Sequence, residues 1–236
     1  MSAGRYIGPG DVPRLIVGAD GTELRGWQDV TVTASLDDVA RAWTARIVPR
    51  TVEGAGPLRI RPGAAVVVAL GADPICAGYL DATSIQGTAD GWSVTLRGRS
   101  ATAELVDCAA VASPGRWRGA TMGQIARECA GRYGVDVVED VPTEPIRRAA
   151  IEPGETVSEL LDRLAESQAV LLTDDAQGRL VITRVSETPP EADAPLVVGT
   201  GGNVLEFDGE FDASALFSEI VCKGQRAGDT EGPSPT

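Results

Sequence analysis

Two pairs of adjacent carboxylates, Asp37-Asp38 and Asp174-Asp175, are the side chains of this sequence best suited to acid–base chemistry. Two carboxyl groups can hydrolyse a glycosidic bond when they face one cleft at a separation of about 5–10 Å. Each pair, however, stands where a turn is predicted, and aspartate is favoured in turns because its side chain hydrogen-bonds to the local backbone. Adjacent residues in extended chain also point in opposite directions. We therefore interpret both pairs as turn residues.

The sequence contains no histidine, which removes the commonest general base and the commonest metal ligand. A Ser-His-Asp or Cys-His site is thereby excluded, and a zinc site would need an unusual ligand set. The cysteines are widely spaced without a CxxC pair, which is typical of buried thiols in a reducing compartment; they are Cys76, Cys108, Cys129 and Cys222. The sequence accordingly assigns no catalytic, cofactor-binding or metal-binding residue and no cofactor.

The formal net charge of −13 argues against partners that are rich in phosphate. An acidic surface repels nucleic acid and anionic membranes alike. Arg116-Trp117-Arg118 is an isolated basic and aromatic cluster, whereas sequence-independent nucleic-acid binding needs several basic contacts. No glycine-rich motif of the nucleotide-binding type lies between a predicted strand and a following helix, and the glycines of Gly199–Gly202 indicate only a loop. We expect no stable nucleic-acid binding and no membrane binding.

The stretch Ala77–Cys108 organises the predicted fold. Alternating side chains, with Trp92, Val94 and Leu96 on one face, predict a long strand that pairs with the strand before it. Ser100 then stands where it could cap a short helix. A hairpin that leads directly into a helix predicts the end of one module and the beginning of the next.

About six short strands without intervening helices are predicted in the first part of the chain. The run Ala64–Leu70 is continuously apolar, which is typical of a strand covered on both faces. Such strands predict an antiparallel barrel or sandwich, and we favour a barrel at residues 14–108 because closure removes exposed edges. A flexible arm rich in glycine and proline is expected at residues 1–13. The predicted core positions of the barrel include the tryptophans Trp27, Trp43 and Trp92.

The hydrophobic period changes after the barrel. Thr121 with Gln124, and Thr156 with Glu159, have the spacing of capping boxes that begin amphipathic helices. A strand is predicted between these helices, and a hairpin is predicted after the second one. Residues 109–186 are therefore expected to form a small α/β module with the order helix–strand–helix–hairpin.

The remaining chain is expected to begin another domain. Residues 187–202 have the composition of a linker, residues 203–225 contain two strands of a second barrel, and residues 226–236 are expected to be a disordered tail. The predicted fold class is α+β: an N-terminal antiparallel β-barrel, a small α/β module, and the start of an incomplete second β-barrel. No apolar run is long enough to span a bilayer, and no secretory signal peptide is expected.

Four segments, in this order, resemble the baseplate hub proteins of Mu-like contractile-tailed phages. They are GWQDVTVTASLDDVARAWTARI at Gly26–Ile47, AGYLDATSIQGTADGWSVTLRGRSATAELVDCAA at Ala77–Ala110, ATMGQIARECAGRYGV with GETVSELLDRLAESQAVLLTDDAQGRLVITR, and NVLEFDGEFDASALFSEIVCKGQ at Asn203–Gln225. The resemblance covers nearly the whole chain. Proteins of this family are similar in fold to the N-terminal part of type VI secretion spike proteins.

The resemblance implies a structural protein without catalytic residues. Three copies are expected to form a ring in which two barrels per subunit give pseudo-sixfold symmetry, so that the ring adapts a sixfold tail tube to a threefold central spike. The implied partners are the chain itself as a homotrimer, the tail tube or tube-initiator protein, the central spike protein and the tape measure protein. The implied location is the virion tail baseplate, after synthesis in the host cytoplasm, with DNA passing through the bore during injection.

The C-terminal end of the sequence departs from the family pattern. In the family, the strand that ends in a KGQ-like segment begins the second barrel and more chain follows, whereas this sequence ends at Thr236. Either the sequence is a piece of a longer chain, or another chain supplies the missing strands. Two alternative functions remain: a tail-associated glycan hydrolase that works through carboxylates, and a carbohydrate-binding or peptide-binding barrel. The first requires an acidic pair that faces one cleft, and the second requires exposed aromatic side chains.

Overall fold

The computed structural model describes residues 13–17, 22–24, 27–36, 38–47, 61–88, 91–185 and 197–198. The described residues up to Val185 belong to one compact unit. The expectations for residues 1–12, for most of the linker at 187–202, for the second barrel at 203–225 and for the tail at 226–236 lie outside the described residues. Within the described ranges, no helix has the length and apolar character needed to cross a membrane.

A seven-stranded antiparallel sheet occupies the first part of the chain. Its strands are β1 Pro13–Val17, β2 Thr22–Leu24, β3 Trp27–Thr33, β4 Ala42–Ile47, β5 Ala65–Leu70, β6 Asp73–Thr88 and β7 Gly91–Ser100. Their spatial order is β2-β1-β5-β6-β7-β4-β3. The central hairpin of β6 and β7 pairs continuously from Gly78 with Ser100 to Thr88 with Gly91, apart from one irregularity after Leu80.

The two edge strands of this sheet, β2 and β3, are consecutive in the chain. Only two residues separate Leu24 from Trp27, so their Cα atoms lie within about 11 Å of each other. Seven strands laid flat would place the edges about 29 Å apart. The sheet is therefore strongly curled, although no hydrogen-bonded ladder joins β2 to β3 in the described part of the chain. The fold is α+β with a large curled sheet, and a closed barrel is not present in the described residues.

The core of the sheet is formed by side chains that alternate along its strands. Its buried members are Leu15, Trp43, Ala45, Ile47, Val66, Val68, Cys76, Leu80, Val94 and Leu96. The core position predicted for Trp43 of β4 and the alternation predicted for Val94 and Leu96 of β7 are confirmed. On β5, Ala65 is exposed and Val67 is only partly buried, so this strand is not covered on both faces as its apolar run predicted.

Trp92 lies on the core side of β7 but is 46% exposed. β4 ends at Ile47, opposite Val94, so no described strand runs beside Trp92 on that side. Ile85 of β6 pairs with Val94 and is 68% exposed in the same projecting end of the hairpin. The prediction that Trp92 contributes to the core is therefore wrong.

Trp43 is the tryptophan on which this core is built, with 2% of its surface exposed. It pairs with Gly98 of β7, and a Cβ atom at that glycine would lie 2.6 Å from the indole ring and would collide with the carbonyl oxygen of Tyr79. The absence of a side chain at residue 98 thus makes room for the indole between the strands. The side chain of Trp27 lies outside the described residues.

The α/β module follows directly. Its elements are α1 Ala103–Asp107, β8 Arg116–Trp117, α2 Met122–Ala130, β9 Val137–Glu139, β10 Ala149–Ala150, α3 Val157–Gln168, β11 Leu171–Asp174 and β12 Leu180–Thr183. A three-stranded sheet has the order β11-β12-β9, in which β9 runs parallel to β12. β8 and β10 form a small second sheet, which the sequence did not predict.

Both predicted capping boxes are confirmed. The hydroxyls of Thr121 and Thr156 accept hydrogen bonds from the backbone amides of Gln124 and Glu159, whose side chains bind back to the cap amides. These contacts satisfy donors that every helix N-terminus leaves free. The buried faces of the two helices share one core with β11 and β12; their residues include Met122, Ile125, Ala126, Cys129, Val157, Leu160, Leu161 and Leu164.

Candidate functional site

The two carboxylate pairs have different roles from one another. Asp175 behaves as a turn residue, because its Oδ1 accepts hydrogen bonds of 3.0 Å from the backbone amides of Gln177 and Arg179. Asp38 is exposed, and Asp37 lies outside the described residues. The structure therefore brings no two of the three described aspartates together as an acid–base pair.

Asp174 is not a turn residue, which corrects the interpretation made from the sequence. It is the last residue of β11, and its side chain is 2% exposed. Its Oδ1 accepts a hydrogen bond of 2.9 Å from Nε of Arg41, and its Oδ2 accepts one of 3.2 Å from the Arg41 backbone amide. Strand alternation contains the signal that sequence reasoning missed, because Asp174 follows buried Leu172 at a spacing of two.

Arg41 connects the large sheet to the α/β module. Its Nη2 donates to the carbonyl oxygen of Asp174 at 2.8 Å, and its Nη1 donates to the carbonyl oxygen of Ile75 in β6 at 2.8 Å. Its own carbonyl oxygen accepts from the Ser100 amide at 2.9 Å. Val39, two residues earlier, is buried in the core of the α/β module. The segment between β3 and β4 is therefore anchored on both sides of the junction.

A glycine forms the second part of this junction. Gly178, in the turn between β11 and β12, has φ +77°, and a Cβ atom there would collide with the carbonyl oxygen of Ala77 and lie 3.1 Å from Cβ of Ala101. The turn thus packs directly on the end of the large sheet. Ser100 does not cap α1 as predicted, because Thr102 occupies the cap position and the two buried hydroxyls lie 2.7 Å apart.

The basic and aromatic cluster is divided between solvent and core. Trp117 is buried, and its Nε1 donates a hydrogen bond of 2.7 Å to Oε2 of Glu128. Arg116 and Arg118 are exposed on either side of it. The indole is consequently not available as a stacking platform beside the two guanidinium groups.

The described cysteines are unpaired thiols. Burial raises the pKa of Cys76 to about 12 and that of Cys129 to about 11. Cys108 is only partly buried, so the expectation of buried thiols holds for two of these three. Among the described residues, no three histidine, cysteine or acidic side chains are grouped so that they could hold a metal ion.

A groove of about 600 Å³ lies between α3, β11 and the segment that follows β3. Most of its lining is apolar, and its residues are Leu36, Val39, Asp162, Ala165, Glu166, Ala169, Val170, Leu171, Leu172, Arg184 and Val185. Sequence reasoning did not find this groove, because residues on both sides of the junction contribute to it.

The charged groups of the groove are unevenly paired. Arg184 binds the C-terminal end of α3, because its Nε donates to the carbonyl oxygen of Ala169 at 3.0 Å and its Nη2 to that of Gln168 at 3.3 Å. Burial, together with the neighbouring charges of Glu166 and Glu159, raises the pKa of Asp162. The α3 wall of the groove is therefore acidic, and no cation among the described residues forms an ion pair with it.

Comparison with known proteins extends over both modules. Residues 14–100 match the family described as Mu phage baseplate assembly protein GpP-like, N-terminal, and residues 102–184 match the family described as baseplate hub protein gp44-like, second domain. The chain is 37% identical over 220 residues to the baseplate hub protein gp44 of Escherichia phage Mu. The matched region is 91% of this chain and 56% of that protein.

Solved structures agree with this assignment. The 43 kDa tail protein of prophage MuSo2 from Shewanella oneidensis matches with a TM-score of 0.68 and 33% identity, over 75% of this chain and 55% of that one. The tail protein from Neisseria meningitidis MC58 shares the fold with a TM-score of 0.64 at 22% identity, over 76% of this chain and 53% of that one. The chain thus spans about half the length of these relatives. It belongs to the baseplate hub proteins of Mu-like phages, which are components of the virion tail.

Proposed function

We propose that this chain is a structural subunit of the baseplate, and that three copies form a ring that adapts a sixfold tail tube to a threefold central spike. The observation that carries the proposal is the buried junction of Arg41 with Asp174. A subunit that holds two partners in fixed register needs modules of fixed orientation. This ion pair supplies that constraint, because its hydrogen bonds are directional and both partners are shielded from water.

The curled sheet supports the role of a ring element. Its edge strands are joined by two residues, and closure by pairing of β2 with β3 would complete a barrel at residues 14–108. Residues 109–186 would be the second domain of the hub. Residues 203–225 would begin the second barrel that gives three subunits their pseudo-sixfold symmetry.

The charge of the chain supports a ring through which DNA passes without being retained. A net charge of −13 repels phosphates. The proposed partners are therefore proteins: further copies of this chain, the tail tube or tube-initiator protein, the central spike protein and the tape measure protein.

A glycan hydrolase is less well supported, although Asp162 and Glu166 do face one groove. Residues four apart on a helix lie about 5–6 Å from each other between Cβ atoms, so both carboxylates belong to the same wall. Glycosidases place their carboxylates on two sides of the scissile bond. None of the described lining residues is aromatic, so this part of the groove offers no aromatic side chain on which a sugar ring could stack.

A carbohydrate-binding barrel is equally poorly supported. Among the described side chains of the large sheet, the exposed aromatic ones are Trp92 and Tyr79. Trp92 lies on the same face as Val94, whereas Tyr79 precedes the core residue Leu80 and points to the other face. The two rings therefore do not form one platform.

The oligomeric state tests the proposed function. Native mass spectrometry of the full chain, alone and with the tail tube protein of the same particle, is expected to give a trimer that binds the tube protein. A monomer at all concentrations in both samples would contradict the ring. A parallel assay on peptidoglycan is expected to give no turnover, and turnover that is lost in Glu166→Gln would establish the hydrolase instead.

A further inference from the structure

The groove beside α3 has two exposed apolar residues at its margins. Leu36 is 69% exposed and Val185 is 68% exposed, and both line the groove with the buried residues Val39 and Leu172. Covering large aliphatic side chains of this kind removes apolar surface from water, which is favourable. The groove therefore offers a favourable apolar contact that the described residues leave open.

The acidic wall determines what kind of partner fits this contact. Asp162 and Glu166 form no ion pair with any described residue. Among the described lining residues Arg184 is the only basic one, and it is engaged with the carbonyl oxygens at the end of α3. An incoming cation would thus meet two carboxylates that have no counter-ion in the described part of the chain, and one of them is partly desolvated.

We propose that the groove docks a segment of another tail polypeptide that carries a large apolar side chain and, one helical turn away, a lysine or arginine. The apolar side chain would lie between Leu36 and Val185, and the basic group would pair with Asp162 and Glu166. The inference rests on the proposed function only in taking the partner from the tail, since the groove itself supplies the chemistry of recognition.

Charge argues against occupants from the chain itself. Of the charged residues at 186–236, only Lys223 and Arg226 are basic and the others are acidic. A second copy carries the same net charge of −13, so charge complementarity does not favour a second copy as the occupant of this acidic groove. A partner with a basic segment is attracted instead.

Two matched peptides test the proposal on the full chain. Both are short, acetylated and amidated; one carries leucine and lysine one helical turn apart, and the other carries glutamate in place of lysine. Amide chemical shifts of Ala165, Ala169 and Leu171 are expected to move saturably with the lysine peptide, and its Kd is expected to be at least about tenfold lower than that of the glutamate peptide. No saturable shift, or equal affinity for the two peptides, would overturn the proposal.

Variants separate the groove from general charge attraction. Asp162→Asn with Glu166→Gln is expected to weaken binding of the lysine peptide about tenfold. Asp136→Asn with Asp140→Asn is the control, because it removes the same charge from exposed carboxylates beside β9. An equal loss in the control would contradict docking in the groove.

Other occupants give distinct results in the free protein. Nuclear Overhauser contacts between groove methyl groups and residues 186–236, or groove shifts that depend on protein concentration, would assign the groove to the chain itself and overturn the proposal. Native mass spectrometry of the same groove variant is expected to give an unchanged trimer. Failure of peptide binding with a normal trimer would therefore disprove the docking site alone, whereas absence of any trimer would disprove the ring.

Discussion

Arg41 and Asp174 are 133 residues apart in the chain, yet the guanidinium Nε lies 2.9 Å from the carboxylate Oδ1 in the interior of the protein. Only 14% of the arginine side chain and 2% of the aspartate side chain are exposed. The same arginine also donates to a carbonyl oxygen in β6 and to that of Asp174 itself. One side chain therefore joins the two modules, which are matched by two different phage baseplate families.

Loss of the Arg41 guanidinium is expected to destabilise the whole unit. Arg41→Met leaves the carboxylate of Asp174 buried without a cation, and a broken buried pair costs about 3–5 kcal/mol. Urea unfolding measures the change. Arg127→Met is the control, because the Arg127 side chain is exposed in its ion pair with Glu139. Exposed ion pairs contribute about 0–1 kcal/mol to stability. Equal losses in the two variants would show that the junction is not a stabilising element.

Trp43 and Trp92 of the large sheet are expected to respond differently to truncation. Trp43→Ala removes a buried indole and is expected to cost about 3–5 kcal/mol through lost burial and a cavity. Trp92→Ala, on the projecting hairpin, is expected to change the unfolding free energy by less than about 1 kcal/mol. Thermal and urea denaturation of both variants provide the measurement, and a large loss for Trp92→Ala would mean that its ring is covered.

The packing of Trp43 against Gly98 can be tested by adding a single methyl group at residue 98. In Gly98→Ala the new Cβ would collide with the Tyr79 carbonyl oxygen and the indole, so β6, β7 and β4 have to separate, and an overpacked site of this kind costs about 1–3 kcal/mol or more. Gly87→Ala in the same hairpin meets no atom within 4 Å and is expected to stay within about 0.5 kcal/mol of the parent. Similar stabilities of the two variants would contradict the packing of Trp43 on residue 98.

Asp162 and Asp107 are expected to make the stability of the protein depend on pH in opposite directions. The pKa of Asp162 is raised, first by burial and then by Glu166 and Glu159, so the folded state binds its proton more tightly and stability falls as pH rises through the folded pKa. The pKa of Asp107 is lowered, chiefly by its hydrogen bonds from Arg99, so its contribution is present above the unfolded pKa and is lost as pH falls through the folded pKa.

Asparagine variants isolate these two contributions. Relative to the parent, Asp162→Asn is expected to gain stability as pH rises from acid to neutral, whereas Asp107→Asn is expected to lose it over the same interval. Urea unfolding at a series of pH values gives both difference curves. Parallel curves would mean that the two carboxyl groups do not have opposite pKa shifts.

The sequence by itself determined the elements whose signals are local. Thr121 and Thr156 begin their helices because the cap and its partner are only three residues apart, so no distant contact has to form first. Trp43 and Leu96 are buried where strand alternation places them. Asp175 makes its predicted turn with neighbours in the same loop. The family resemblance, carried by four ordered segments, was also present in the sequence alone.

Tertiary structure decided the features that depend on where distant elements end. Trp92 has the correct alternation for burial but is exposed, because β4 stops at Ile47 and does not run beside it. Asp174 is of a residue type that is favoured in turns, but it is buried, because it pairs with Arg41 from the distant connection between β3 and β4. The groove exists only where Leu36 of one module meets α3 of the other. Burial is a property of the neighbours that a side chain acquires, and pairings between distant strands set those neighbours.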